Sequence, residues 1–418
     1  MLESKRSLHF LLSLNSVHLG TNYLWISFES LILPLQLEGA TGASTPGLEL
    51  GLIAFIAIAV GVFFSLFSGV LSDNHSILWG KRGPYIIIGT LFTIVAVAFS
   101  LLPIKSVLVV FVIFLSIQIG SNISSGAYQP LLRDLIQENQ RGTAAGINGV
   151  FTLAGTAMGL GLTGFLISAG VLPFSLIVIV IILLATASIT TLAIRRDDGP
   201  LPENAFHPLR IFLDIFNPNE TSPDFFWLVG ASFLFFLGIT GLSFFELYYF
   251  SDVLMSSDPA SLVAISGIFV LVFSALGAAL FGSLSDRYGR WKILLSSTVI
   301  AGFATALIPA IPTFTNFLIL GSFIGISYGT YFTVSKALAS DMAPPQDAGK
   351  YMAYYNIAVG GSSAFSTLFY GIVLELFGTS YKIGFTAIFE MSAAFYFIGL
   401  LFLFRLRKNN RYANKLYV

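Results

Sequence analysis

The sequence predicts an all-α membrane protein of twelve transmembrane helices arranged as two six-helix bundles. Three observations predict it. Hydrophobic residues make up 56% of the chain and charged residues only 10%, against about 25% charged in soluble domains, so too little polar surface exists to face water. Apolar runs recur at lengths that cross a bilayer, for which about 20 residues span a hydrocarbon core of about 30 Å. Twelve such runs with the short loops between them account for nearly the whole length of 418 residues, and the second six repeat features of the first.

The runs place spans 1 to 6 near 8–34, 48–72, 84–104, 107–133, 143–168 and 171–194, and spans 7 to 12 near 225–251, 261–285, 292–312, 314–340, 349–375 and 380–404. Lys5 and Arg6 precede span 1, which lacks a small-residue cleavage site and reads as a permanent helix. Four domains follow: a first bundle 1–194, a cytoplasmic linker 195–224, a second bundle 225–404 and a tail 405–418. The linker opens on Arg195, Arg196, Asp197 and Asp198, and its Leu209–Phe216 stretch reads as an interfacial helix. Placing both termini in the cytoplasm leaves only Lys105 and Lys382, of 21 basic residues, outside. The expected location is therefore the cell membrane, multi-pass, with both termini inside. Arg405, Arg407, Lys408 and Arg411 read as a topological anchor.

The halves repeat. Gly69-Val-Leu71-Ser72-Asp73 after span 2 returns as Gly282-Ser-Leu284-Ser285-Asp286 after span 8, an offset of 213. Asp134, followed by Arg141 and Gly142, returns as Asp341, followed at the same steps by Ala348 and Gly349, an offset of 207. Such duplication marks carriers that rock two bundles around a central site.

Several chemistries are excluded or unsupported. There is no cysteine, so disulfides and thiolate metal sites are ruled out. His9, His18, His75 and His207 are scattered, so neither a metal site nor a cofactor is expected. Twenty-one acidic residues balance twenty-one basic ones, and no internal basic tract suggests nucleic acid. Without a Walker A sequence, ATP hydrolysis by that route is excluded. No span offers a nucleophile with its base, so an enzyme is not expected. Gly159-Leu-Gly161-Leu-Thr-Gly164 fits GxGxxG but lies inside span 5 with no strand before it, and reads as a helix-packing surface.

The run Gly282-Ser-Leu284-Ser-Asp286-Arg287-Tyr-Gly289-Arg290-Trp-Lys292 resembles the loop signature of the major facilitator superfamily. Its glycines permit close helix approach, and its carboxylate and basic residues can form a gate with Asp341. The first-half copy is four residues longer, running from Gly69 through Ser72-Asp73 to Trp79-Gly80-Lys81-Arg82-Gly83-Pro84-Tyr85-Ile86. It is similar to that of a narrower group, the glycoside and sucrose cation symporters. Gly20, Trp25, Ser30-Leu31, Pro34 and Gly39 in span 1 match the same group, as do Asn122, Leu131-Leu132 and Asp134-Leu135 around span 4. The resemblance implies proton-coupled transport of a sugar or glycoside, with Asp73, Arg82, Asp134 and Arg141 as first-half gate residues and Asp286, Arg287, Arg290 and Asp341 as their second-half counterparts. The sequence departs from the group at two positions, where its span-4 aspartate and arginine are Gln118 and Gln129.

Polar residues inside the spans supply the candidate site. Asn15, His18, Asn22, Trp25 and Glu29 follow steps of three, four, three and four along span 1, hence one helical face. Gln118, Asn122, Ser125 and Gln129 share one face of span 4. Amides facing lipid would be unpaired, so both faces are expected to line an aqueous cavity or a helix contact. Trp25 can stack on a sugar ring while the amides bind hydroxyls; ordinary packing or interfacial anchoring is its plain alternative. Lys336, near the cytoplasmic end of span 10, either snorkels or binds an anionic solute.

With the span-4 aspartate absent, Glu29 and Glu246 are the candidates for proton coupling. Ser27-Phe28-Glu29 in span 1 and Ser243-Phe-Phe245-Glu246 in span 7 align with an offset of 217. Four extra residues between spans 1 and 2 reconcile that with the offset at the loop signature, and place both carboxylates in the outer half of the membrane on duplicated helices. The expected activity is alternating-access transport of a small polar solute with protons, by a monomer in the lipid bilayer. The alternatives are an uncoupled facilitator or exporter of another solute, and a non-transporting sensor on a transporter scaffold.

Overall fold

The computed structural model describes residues 5–43, 46–77, 80–194, 222–344, 348–377 and 381–409, and all regular elements among them are helices. Residues 195–221 of the expected linker, including Leu209–Phe216, and residues 410–418 of the tail lie outside the described residues. So do the side chains of Ala348, Arg407 and Lys408.

Span 1 comprises Leu8–Ser27, a π-helical turn Phe28–Ile32, and Leu33–Thr41. Pro34 has no N–H to return to the preceding turn, and the wide π turn absorbs the lost bond. Spans 2, 3 and 4 are Gly47–Asn74, Gly83–Phe99 and Val107–Tyr128. Span 4 ends five residues before the expected 133 because Pro130 interrupts the hydrogen-bond ladder; a short helix Leu131–Leu135 follows. Span 5 comprises Arg141–Met158, a π turn Gly159–Thr163 and Gly164–Ser168, and span 6 is Leu172–Ile194. Span 7 comprises Pro223–Ile239, Leu242–Tyr248 and a π turn Tyr249–Val253. Spans 8 to 12 are Pro259–Tyr288, Arg290–Leu307, Phe314–Met342, Ala348–Leu376 and Tyr381–Asn409.

Local chemistry explains where these helices start and stop. The side chains of Ser7, Ser222, Asp258 and Thr313 accept hydrogen bonds from Phe10, Phe225, Ser261 and Asn316 N–H, capping spans 1, 7, 8 and 10. Gly289 turns span 8 into span 9 with φ 92°, a conformation that a side chain would strain. Ten of the helices are long and apolar enough to cross a membrane on their own. Of the other two, span 3 has 17 residues, reaching about 26 Å, and span 1 is diluted by its polar stripe.

Two compact units emerge: Met1–Glu49 with Ile56–Leu213, and Leu50–Phe55 with Asp214–Val418. Within the first, span 1 packs on spans 5 and 6, and span 3 on spans 4 and 6. Within the second, span 7 packs on spans 11 and 12, and span 9 on spans 10 and 12, the same order six spans later. Each unit buries its own core, around Leu14, Ile86 and Tyr128 in one and Phe235, Tyr331 and Tyr396 in the other. Outward faces are apolar, with Leu108, Phe165, Leu192, Phe303 and Leu401 exposed, as a lipid environment permits.

Glycine sets the closest approaches. A Cβ at Gly126 in span 4 would overlap the Ser65 carbonyl of span 2, and one at Gly329 in span 10 would overlap the Ser274 carbonyl of span 8. The obstacle is backbone in both cases, so relief requires the helices to move apart. Gly126→Ala and Gly329→Ala are each expected to destabilise by about 1–3 kcal/mol or more, read as a lowered melting temperature in detergent. Gly146→Ala and Gly361→Ala, where a Cβ would meet nothing, should melt at or above the wild-type temperature; equal melting of all four variants would refute the packing argument.

Candidate functional site

In the first unit a chain of amides converges on a carboxylate. Asn122 Nδ2 donates to Gln118 Oε1 (3.1 Å) and to the Gln118 carbonyl (2.9 Å), and Gln118 Nε2 donates to Glu29 Oε1 (3.0 Å). The π turn of span 1 carries Glu29. Trp25, one turn earlier, donates from Nε1 to Ser121 Oγ at 3.2 Å, so spans 1 and 4 are tied at two successive levels. Gly61 of span 2 allows this: a Cβ there would lie 2.6 Å from Asn122 Nδ2 and 3.1 Å from Gln118 Oε1. Gln118 is buried, whereas Trp25, Glu29 and Asn122 keep partial exposure. Glu29 Oε1 can accept from Gln118 whether the carboxyl is ionised or carries a proton on its other oxygen, so the chain accommodates either state without turning over an amide.

The other stripe residues are placed differently. Asn15 is fully buried and engaged at both ends, donating from Nδ2 to the Leu11 carbonyl (2.8 Å) and accepting from Tyr128 OH (2.8 Å). That makes it a clamp between spans 1 and 4. His18 stands edge-on to Tyr128, ring centroids 4.5 Å apart, and its Nε2 is buried without a partner among the described residues. Asn22 donates to the His18 carbonyl at 2.8 Å. Gln129 caps the end of span 4 and is exposed; it shares a face with Gln118 but lies eleven positions on, about 16 Å along the axis.

At that same end of the unit Arg82 is held between two carboxylates. Its Nη2 donates to Asp73 Oδ1 (2.5 Å) and to Asp134 Oδ2 (2.6 Å). Arg141 begins span 5 and is exposed. Nearby, Arg6 N–H donates to Gln140 Oε1 (2.8 Å) and Gln140 Nε2 returns a bond to the Arg6 carbonyl (3.0 Å). This latch between the start of span 1 and the loop after span 4 has no periodic signature in the sequence.

The second unit repeats the scheme with different parts. Arg290 pairs with Asp286 (3.6 Å) and with Asp341. Arg287, the other candidate, is exposed in the last turn of span 8, where a cation suits the helix dipole. Glu246 Oε1 lies 2.7 Å from Ser266 Oγ of span 8, which is also 2.7 Å from the Leu262 carbonyl. A hydroxyl has one proton. When Ser266 donates to an ionised Glu246 the Leu262 contact goes without a proton; when it donates to Leu262, a protonated Glu246 supplies the other. Ser121, Ser266 and Gly61 were not singled out from sequence, since serine and glycine are common in spans.

The GxGxxG run forms the π turn of span 5 and packs on span 1. A Cβ at Gly159 would lie 2.9 Å from the Tyr23 carbonyl, and Ser27 Oγ lies 2.9 Å from Thr163 Oγ1.

Comparison with known proteins agrees with this architecture. The chain is similar to the niacin transporter NiaP of Acinetobacter baylyi, 29% identical over 129 residues covering 30% of this chain and 28% of that protein. It is also similar to the shikimate transporter of Escherichia coli, 27% identical over 138 residues, 31% of each chain. It thus matches about three tenths of the length of these relatives. Among solved structures, a bacterial homolog of the human lysosomal transporter Spinster aligns with TM-score 0.71 and 16% identity over 96% of both chains. The nucleoside transporter NupG aligns with TM-score 0.73 and 14% identity over 96% of this chain and 100% of that one. The Major Facilitator Superfamily profile matches residues 11–273 and 247–416, and with both bundles so covered the chain is a multi-span membrane protein that belongs to the major facilitator superfamily.

Proposed function

We propose that the chain is a secondary transporter that carries a small polar solute across the cell membrane by alternating access, with proton coupling at Glu29 and Glu246. One observation carries the reading. The carboxylates occupy spans 1 and 7 of a duplicated architecture, and each is hydrogen-bonded by a neutral partner from another span, Gln118 or Ser266, with no cation paired to either among the described residues. A carboxyl inside a membrane costs about 2.5–3.5 kcal/mol when ionised at a helix centre, and neutral partners let it lose or hold its proton. The solute contacts we assign are His18, Asn22, Trp25 and Asn122, all of them only partly buried. Asn15, Gln118 and Gln129 we assign to clamping, relay and the helix end.

The span 1 and loop patterns favour a sugar or glycoside, for which the half-buried Trp25 indole offers a stacking face. A second reading, transport of a small organic acid, is favoured by Lys336 in span 10; the relatives named for niacin and shikimate carry solutes with a carboxyl group. The ion triads at Arg82 and Arg290 are the proposed gates, the working unit is a monomer, and both termini are cytoplasmic.

Uptake into proteoliposomes across a panel of sugars and organic acids, with and without an imposed pH gradient, tests the function. Accumulation of a panel member that follows the gradient is expected; no uptake of any would overturn the transporter reading. For topology, Ser257 is exposed between spans 7 and 8, and with no native cysteine present a Ser257→Cys variant should label from outside. Labelling from the inside alone would reverse the orientation.

A further inference from the structure

Span 10 exposes two different faces along its length. Near its start Ile319 and Phe323 are exposed, a purely apolar surface suited to lipid. Further on the exposed residues are Phe332, Lys336, Ser340 and Asp341. Phe332 follows Phe323 by nine positions, about two and a half turns, so it projects from the opposite side of the helix. Lys336 is one turn beyond Phe332 on that side, with a charge that lipid would penalise.

The lysine side chain lies back along its own helix. Span 10 ends at Met342, yet Lys336 Nζ lies over the ring of Phe332, one turn back into the span, 5.8 Å from its centroid. Within about 6 Å an aromatic face attracts a cation. Among the described residues no carboxylate pairs with Lys336. The Phe332 ring lies nearly parallel to that of Tyr328 one turn further in, centroids 6.2 Å apart and planes 25° apart. Phe236 of span 7 closes the group edge-on, 5.9 Å from Tyr328 and 6.1 Å from Phe332. Two ring faces and a cation without a counter-ion are thus aligned on one side of one helix, with Phe332 40% exposed.

We infer that this face binds a small ring-bearing carboxylate: the ring lies on Tyr328 and Phe332, and the carboxylate takes the ammonium of Lys336. The inference rests on the transporter reading and takes up its second form, the small organic acid, in place of the sugar. A neutral sugar would leave Lys336 without a partner, whereas a carboxylate supplies a charge-assisted hydrogen bond and the ring covers the exposed aromatic surface. Co-transport of one proton with one such anion would move no net charge.

Benzoate, benzamide and sucrose binding to the purified full chain in nanodiscs tests it. Benzoate is expected to bind at least tenfold more tightly than benzamide, its neutral near-isostere. Lys336→Gln should weaken benzoate at least tenfold and leave benzamide unchanged, Lys336→Arg should retain benzoate, and Phe332→Leu should weaken both ring compounds. Lys336 is exposed, so its variants should melt with the wild type. Equal binding of benzoate and benzamide, no benzoate binding, or benzoate binding indifferent to Lys336→Gln would overturn the inference. Gradient-driven uptake of sucrose without benzoate binding would overturn the solute class and leave the transporter reading standing.

Discussion

Glu29→Gln and Glu246→Gln are each expected to abolish solute accumulation driven by a pH gradient while leaving solute exchange close to the wild-type rate. Glutamine keeps the size and an acceptor oxygen, so Gln118 and Ser266 retain a partner at the distances seen, 3.0 and 2.7 Å. Only the exchangeable proton is lost. Each tenfold step in a concentration ratio corresponds to about 1.4 kcal/mol, so a one-unit pH gradient carried by one proton supports about tenfold accumulation in the wild type. A variant lacking its coupling proton should fall to a ratio of one. Exchange at equal solute on both sides requires no net proton movement and therefore reports whether the carrier still cycles. Accumulation that survives in both single variants and in the double variant would remove the two carboxylates from the coupling mechanism. Loss of exchange along with accumulation would reassign them to solute binding or structure.

The span 4 relay was legible because amides four residues apart must share a helical face, and Gln118 and Asn122 do touch. The same rule led to Gln129, which periodicity places in azimuth but not in depth; it lies at a helix end, exposed. Asn15 shows the complementary limit. Its face was right, but a tyrosine on span 4 takes its oxygen, and no spacing within span 1 could reveal a partner so distant in sequence. Fold class and duplication were readable in full, because membrane spans must be long and apolar and because Gly69-Asp73 and Gly282-Asp286 repeat as a unit. Which arginine serves each triad was not. Arg82 stands nine positions after Asp73, while Arg290 stands four after Asp286, and only the folded loops bring both to equivalent partners, with Arg287 left outside.

The two triads, although duplicated, should differ sharply in weight. The Arg82 side chain is 4% exposed, and its partners Asp73 and Asp134 are 41% and 35% exposed. Arg290 is 22% exposed, with partners at 70% and 46%. Removing one partner of a buried ion pair costs about 3–5 kcal/mol, whereas exposed pairs contribute about 0.2–1 kcal/mol. With its carboxylates half in water, the Arg82 triad should fall between these limits. Arg82→Gln is therefore expected to destabilise by about 1–3 kcal/mol, against less than about 1 kcal/mol for Arg290→Gln, measured as unfolding in detergent. Nη2 donates to both carboxylates of the first triad, and a lysine ammonium would keep a positive charge between them. Arg82→Lys should accordingly recover much of what Arg82→Gln loses, and Asp73→Asn in the Arg82→Gln background should add little because the repulsion it relieves is between half-solvated groups. If Arg290→Gln proves the more damaging change, or if Arg82→Gln unfolds and transports as the wild type does, burial of the arginine does not determine the strength of either gate.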